Sequence, residues 1–351
     1  MEIREDRLNE LLGKVVNELG AAVTGLHVSI GDKLGLYKAL GANGGMTSQQ
    51  LAGVTGTSER LVREWLAAQA ATGYIEYAAE DETFSLTPEQ HAVFADEASS
   101  VLMTGGFYGL GAIYGSEEAL IDAFRGGGGV GWGDHASCCF AGTEKFFKPL
   151  YRTNLVDEWL PALDSVVDKL KAGGAVADVG CGHGVSTTLM AEAFPATQFF
   201  GFDFHAPSVE RARKLAAEAG VNNVTFEVAT AKEFPGNGYD LVTMFDCLHD
   251  MGDPVGAVSH VGETMSADGT LMVVEPAAGR SLSENLHPIG RVYYAYSTAL
   301  CVPSSLDQEV GLALGAQAGE ARLRDVVTGG GFSQFRVAVE TPFNMVIEAR
   351  L

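Results

Sequence analysis

The stretch VADVGCGHG, residues 176–184, decides how the chain reads. A short β-type run leads into Gly180, Gly182 and Gly184, and the helix-forming run STTLMAEAF follows. Glycines at a strand-to-helix turn let the chain bend sharply and let a ligand approach the backbone. A dinucleotide fingerprint spaces its glycines as GxGxxG. Here the spacing is GxGxG, and Val185 stands where the third glycine would fall when counted from Gly180. Asp178 makes the front of the loop acidic, which suits a positively charged ligand group better than a pyrophosphate. The turn therefore predicts a ligand held at Asp178, Gly180 and Gly182, outside the carboxyl end of a first strand.

From residue 173 onward, β-rich runs alternate with helical ones. AVADVG, QFFGFD, VTFEVA, DLVTMFD and TLMVVEP are the strands, and STTLMAEAF, SVERARKLAAEAG and GAVSHVGETM lie between them. Such alternation predicts a parallel sheet with helices on both faces. The tail FSQFRVAVETPFNMVIEARL reads as an antiparallel hairpin that ends the sheet. The second strand ends at Asp203, whose carboxylate is placed to accept hydrogen bonds from both hydroxyls of a ribose. Phe204 beside it offers a surface for a purine. Thr230 and Ala231, after the third strand, sit where the edge of an adenine would lie. For Phe204 and for Phe245, at the end of the fourth strand, burial against the sheet stands beside cofactor contact as an alternative.

Before this sheet, residues 1 to about 100 read as helices followed by a short hairpin. Thr47 with Gln50, and Thr87 with Gln90, are capping-box pairs. Helix, short helix, helix, hairpin is the order of a winged helix-turn-helix. From Thr47 to Glu97 the basic residues are Arg60 and Arg63, against nine acidic ones, which poorly suits a phosphate backbone. Residues 101–172 carry many aromatics and the run RGGGGVGWGDH, expected as a mobile loop. DEWLPALDSVVDKLKAGG is expected as a helix leading into the first strand.

Composition sets outer bounds. The chain has 351 residues, 46% hydrophobic and 19% charged, which suits roughly two globular domains. A formal charge of −22 repels nucleic acid and anionic lipid alike. No apolar run approaches the ~20 residues that span a bilayer. Cys138, Cys139, Cys181, Cys247 and Cys301 form no CxxC pair, and His183, His205 and His260 fit no ligand spacing, so neither a disulfide framework nor a metal site is expected. A cytoplasmic protein without membrane or nucleic-acid partners follows.

Taken together, VADVGCGHG, GFDFH and VATAKEF resemble the motifs of class I S-adenosylmethionine-dependent methyltransferases, over roughly residues 150–351. The resemblance implies a Rossmann-like seven-stranded sheet and S-adenosylmethionine as cofactor, bound by Asp178, Gly180, Cys181, Gly182, Asp203, Phe204, Thr230, Ala231 and Phe245. In that family an Asp often stands at the position of Thr230. The N-terminal segment resembles the winged-helix part of bacterial methyltransferases, and the whole chain is similar to mycobacterial methyltransferases of unassigned substrate. In related O-methyltransferases that part serves dimerisation, which implies a homodimer.

MFDCLHDMGDP resembles the HDW-like sequence whose His deprotonates the acceptor hydroxyl in such enzymes. This implies His249 as general base with Asp250 beside it, Met251 standing where the family has Trp. A histidine is suited to that role near neutral pH. Asp246 or Asp250 would orient it, and Glu275 points toward the same cleft. A loop-tethering hydrogen bond is the alternative role for His249.

The organisation expected is thus a winged-helix dimerisation domain at 1–100, a helical linker and active-site lid at 101–172, and a methyltransferase domain at 173–351 with an acceptor-pocket insertion at about 279–325. The acceptor expected is a small apolar or aromatic molecule, methylated on oxygen, with nitrogen and carbon left open. The rival class is a winged-helix regulator that senses S-adenosylmethionine.

Overall fold

The computed structural model describes residues 3–351. The described chain divides into two compact units, residues 3–112 with 137–149, and residues 113–136 with 150–351. Residues 101–172, expected as one linking segment, are thus shared between the units.

The first unit is helical. A helix Glu5–Lys33 precedes Leu36–Asn43, Ser48–Thr55 and Glu59–Thr72, then a hairpin of β1 (Glu76–Ala78) and β2 (Thr83–Ser85), then Pro88–Phe94. Both expected capping boxes form: the Thr47 and Thr87 hydroxyls accept from the Gln50 and Gln90 amides, and each glutamine carboxamide accepts from its threonine's N–H. The core gathers Val28, Leu36, Tyr37, Leu40, Trp65 and Phe94. Tyr37 is the hub, 5.0 Å from the Trp65 ring and 5.2 Å from the Phe94 ring, and its hydroxyl donates to Gln69 at 2.6 Å.

The second unit is built on a seven-stranded sheet of β3 (Ala175–Val179), β4 (Gln198–Asp203), β5 (Val224–Val228), β6 (Tyr239–Phe245), β7 (Met265–Pro276), β8 (Gln334–Glu340) and β9 (Asn344–Arg350). The strand order is β5-β4-β3-β6-β7-β9-β8. Strands β3 to β7 pair in parallel, and β9 runs antiparallel to both β7 and β8. Residues 241–245 of β6 and 271–274 of β7 are buried, as strands covered on both faces must be. The chain starts the sheet at β3, builds outward to β5, then crosses back to lay down β6. The strand order reverses between β3 and β6, and at such a point the connections leave in opposite directions and open a crevice at the carboxyl ends of the strands.

Two local expectations give way. The segment expected as one helix from Asp157 is instead a π-turn over Leu155–Trp159, a break, and a short helix Val166–Ala172. Pro161 supplies no N–H to a helix, and Ser165 adopts a left-handed φ of 61°, so the helical ladder cannot run through. The glycine run is not a free loop along its length. A Cβ at Gly129 would lie 2.1 Å from the Asp307 backbone nitrogen, and the Val130 N–H donates to the Pro303 carbonyl. Only glycine allows the backbone to approach the short helix Val302–Leu306 this closely.

Candidate active site

The predicted residues of the second unit come together at the carboxyl ends of β3, β4, β5 and β6. Gly180, Gly182 and Gly184 all take left-handed φ, at 74°, 53° and 74°. Their surroundings differ. A Cβ at Gly184 would lie 2.7 Å from the Phe226 ring and 2.8 Å from Ala212 Cβ, and one at Gly180 would lie 2.7 Å from Cys247 Sγ. A Cβ at Gly182 would meet nothing within 4 Å. Two of the glycines therefore serve close packing, and Gly182 presents backbone to open space.

Asp203 fixes that exposed backbone. Its Oδ2 accepts the Gly182 N–H at 2.9 Å and its Oδ1 accepts the His205 N–H at 2.8 Å. Burial holds its carboxyl above the ordinary value, and the two backbone donors offset only part of that. Each carboxylate oxygen retains a second lone pair, the valence that a ribose diol requires. Phe204, next in sequence, is 53% exposed.

Asp178 and Cys181 both have partners within the protein. Asp178 is fully buried, and its carboxylate accepts from Ser186 Oγ at 2.8 Å, Thr187 Oγ1 at 2.6 Å and Thr243 Oγ1 at 3.0 Å. It holds the loop from beneath, because its side chain leaves the strand on the covered side. The Cys181 side chain packs with Val209, Ala212 and Phe226, and its N–H donates to the Phe202 carbonyl, so neither group faces the crevice. Thr230 is exposed and donates to Glu233 at 3.3 Å, and Ala231 packs half-buried on the core. Phe245 is buried against the Tyr151 ring at 5.2 Å.

After β6 the chain turns sharply through Asp246, at a left-handed φ of 48°. Asp246 accepts from the Tyr151 hydroxyl at 2.8 Å and from Asn344 Nδ2 at 2.7 Å. Burial, with the charge of Glu275, pushes its carboxyl up to about 7. The next residues form a short 3-10 turn, Leu248–Asp250. His249 is buried there, with Nδ1 2.5 Å from Glu275 Oε2, while Glu275 Oε1 accepts the Leu248 N–H at 3.0 Å. Its Nε2 lies 3.1 Å from Asp250 Oδ1, an oxygen that accepts no hydrogen bond. Burial favours the neutral imidazole, but the charges of Asp250 and Glu275 outweigh it and hold the histidine well above its ordinary value.

Tyr151 and Asn344 escaped sequence reasoning. They meet Asp246 across 95 and 98 positions, and neither sits in a motif. Cys301, which lies near His249 and Asp250, escaped it for the same reason.

The glycine geometry separates packing from presentation. Gly184→Ala combines left-handed strain with overlap against Phe226, and should cost about 2–4 kcal/mol in urea denaturation. Gly182→Ala carries only the backbone strain, about 1–2 kcal/mol. Equal losses from the two substitutions would show that the loop is not packed as described.

Residues 170–305 match the family described as Methyltransferase domain, and residues 21–96 match the Rv2258c-like winged HTH domain. The chain is 33% identical over 113 residues to the uncharacterized methyltransferase Rv0089 of Mycobacterium tuberculosis. That match takes in 32% of this chain and 56% of the mycobacterial protein, so the chain spans about half the length of the curated relatives it matches. Among solved structures, the mitomycin 7-O-methyltransferase MmcR superimposes with a TM-score of 0.72 at 18% identity, over 99% of this chain and 100% of that one. Human N-acetylserotonin methyltransferase, in complex with SAM, gives 0.70 at 17% identity over 100% and 99%. At such identities the likeness is one of fold. The chain therefore carries a methyltransferase domain at residues 170–305 behind an Rv2258c-like winged helix-turn-helix domain at residues 21–96.

Proposed function

We propose that this protein transfers the methyl group of S-adenosylmethionine to a small acceptor, with oxygen the acceptor atom. The observation that carries the reading is the Asp203 carboxylate, which pins the open Gly182 turn at the strand-order reversal while keeping lone pairs for a ribose. The folds of MmcR and of human N-acetylserotonin methyltransferase, both named for methyl transfer to small molecules, support it. So does the dyad of His249 and Glu275 at the end of the neighbouring strands.

S-adenosylmethionine, held by Asp203 at the Gly182 turn, would supply the methyl group to the acceptor oxygen, its C–S bond pair going to sulfur as the C–O bond forms. His249 Nε2 would take the hydroxyl proton. Glu275 orients the ring through Nδ1 and stabilises the imidazolium that forms. Positioning of the two reactants supplies most of the rate.

The winged-helix part supports dimerisation rather than regulation of DNA. Its cations Arg60 and Arg63 are each paired within their own helix, with Glu64 and Glu59 at 2.6 Å. Few charges remain there for phosphate neutralisation. The helix Glu5–Lys33 exposes Leu11, Val16 and Leu19 at 57%, 66% and 67%, more apolar surface than a solvated helix keeps bare. A second copy of the chain fits this surface. Among the described residues no helix is long and apolar enough to cross a membrane. The five cysteines carry no disulfide, which suits a reducing compartment such as the cytoplasm.

Three measurements test this reading. Asp203→Ala should weaken binding of S-adenosylhomocysteine about tenfold or more in calorimetry, since a charged acceptor is lost. Unchanged affinity would move the ribose elsewhere. With an acceptor found by screening phenols and hydroxylated metabolites, His249→Gln should slow transfer by about 10²–10⁴-fold. Because the base acts only when neutral and its pKa is raised, the rate should climb with pH on the alkaline side of the ordinary value of 6.5. A wild-type rate from that variant, or a flat pH profile, would make His249 a loop tether. Finally, Val16→Glu with Leu19→Glu should convert a dimer to monomers in light scattering. A monomeric wild-type chain at micromolar concentration would overturn the dimer.

A further inference from the structure

His249, Asp250 and Cys301 bring a nitrogen, a carboxylate oxygen and a sulfur to within 4.8 Å of one another. His249 and Cys301 are buried, at 4% and 7% exposure. The cluster is assembled from two distant pieces of chain. The 3-10 turn after β6 supplies the histidine and the aspartate. A π-turn over Ser297–Cys301, between the helices Pro288–Tyr296 and Val302–Leu306, supplies the cysteine at its last position. Single π-turns inserted into a helix cost hydrogen-bond geometry and commonly re-aim one side chain at a site.

We propose that His249 Nε2, Asp250 Oδ1 and Cys301 Sγ form a three-ligand binding site for a divalent cation of the Zn2+ type, with Glu275 as its supporting carboxylate. Three features of the geometry carry the proposal. First, the donor set is mixed imidazole, thiolate and carboxylate, which matches Zn2+ and excludes the all-oxygen preference of Mg2+ or Ca2+. Ligand distances of about 2.0–2.3 Å in a tetrahedron put donor atoms about 3.3–3.8 Å apart. The 3.1 Å between Nε2 and Oδ1 and the 4.8 Å bound on the whole set need only small side-chain adjustments to reach this.

Second, Asp250 Oδ1 is buried and accepts no hydrogen bond although an imidazole nitrogen is 3.1 Å away. That oxygen has no hydrogen-bond donor of its own, and a cation among the three donors would satisfy it. Third, the other ring nitrogen of His249 is already committed to Glu275 Oε2 at 2.5 Å, and Glu275 is itself anchored by the Leu248 N–H at 3.0 Å. A carboxylate on the far nitrogen fixes which nitrogen is left to bind metal and raises its basicity, the usual second partner of a zinc-ligating histidine.

Three protein ligands leave the fourth position of a tetrahedron open to water. Loading requires loss of the Cys301 thiol proton to solvent and no change of oxidation state. It also occupies Nε2, the atom assigned above to the acceptor proton. A bound cation therefore holds the protein in a form in which His249 cannot act as a base.

The test reads binding alone, so its failure is separate from failure of the methyl-transfer reading. The full chain, stripped with a chelator, is titrated with Co2+ and followed by absorption, then with Zn2+ by calorimetry. One equivalent of Co2+ should give a thiolate-to-metal charge-transfer band with visible bands of tetrahedral intensity, and one equivalent of Zn2+ should bleach both. Cys301→Ser should abolish the charge-transfer band, Asp250→Asn should weaken Zn2+, and Glu275→Gln should weaken it by about ten- to a hundredfold. Far-ultraviolet circular dichroism of each variant separates lost ligation from lost fold. If Cys301→Ser fails to fold, the proposal stands or falls on the folded Asp250→Asn chain and on the wild-type Co2+ spectrum. Absence of a thiolate band in the wild type, or Zn2+ affinity unchanged in folded Cys301→Ser or Asp250→Asn, would overturn it.

Discussion

The second unit depends on one buried carboxylate. Asp178 has no exposed surface, and its two oxygens collect three hydroxyls from two different elements. Ser186 and Thr187 belong to the first turn of the helix that follows the glycine loop, and Thr243 belongs to the neighbouring strand. A carboxylate in a dry interior is tolerable only with such partners, and once it has them it fixes all three elements together. The crevice where the strand order reverses is the gap between those same two strands. Asp178 therefore ties together the two strands that flank it.

Asp203 repeats the device one strand away, but at the rim. There the partners are backbone N–H groups instead of hydroxyls, and the residue keeps a little exposure. Two acidic residues that look equivalent in sequence thus divide the labour: one braces the loop through hydroxyls in the interior, the other through backbone N–H groups at the rim. The glycines divide in the same way, since Gly180 and Gly184 leave no room for a side chain and Gly182 leaves ample room.

What was legible from residues alone follows from range of interaction. The strand runs, the GxGxG turn, both capping boxes and the antiparallel tail are local patterns, and all of them form. The break in the helix expected from Asp157 was also written locally, in Pro161, but a proline within an apolar period reads as tolerable until the left-handed Ser165 is seen. The hydroxyl partners of Asp178 were not legible, because Ser186, Thr187 and Thr243 reach it from a helix and a neighbouring strand that no local spacing ties to it. The neighbours of His249 were legible only in part: Asp250 adjoins it, and Glu275 ends the next strand. Tyr151, Asn344 and Cys301 reach the same place from segments with no periodicity that points there. Long-range polar contacts of this kind leave no spacing rule in a single chain.

Gly129 has a mechanical consequence. Its backbone lies directly on the Pro303–Asp307 backbone, with Val130 hydrogen-bonded to Pro303. Two stretches that are remote in sequence are thereby welded main chain to main chain, with no side chain between them to act as a bearing. Neither can slide past the other without breaking that contact, so a displacement of one would carry the other with it.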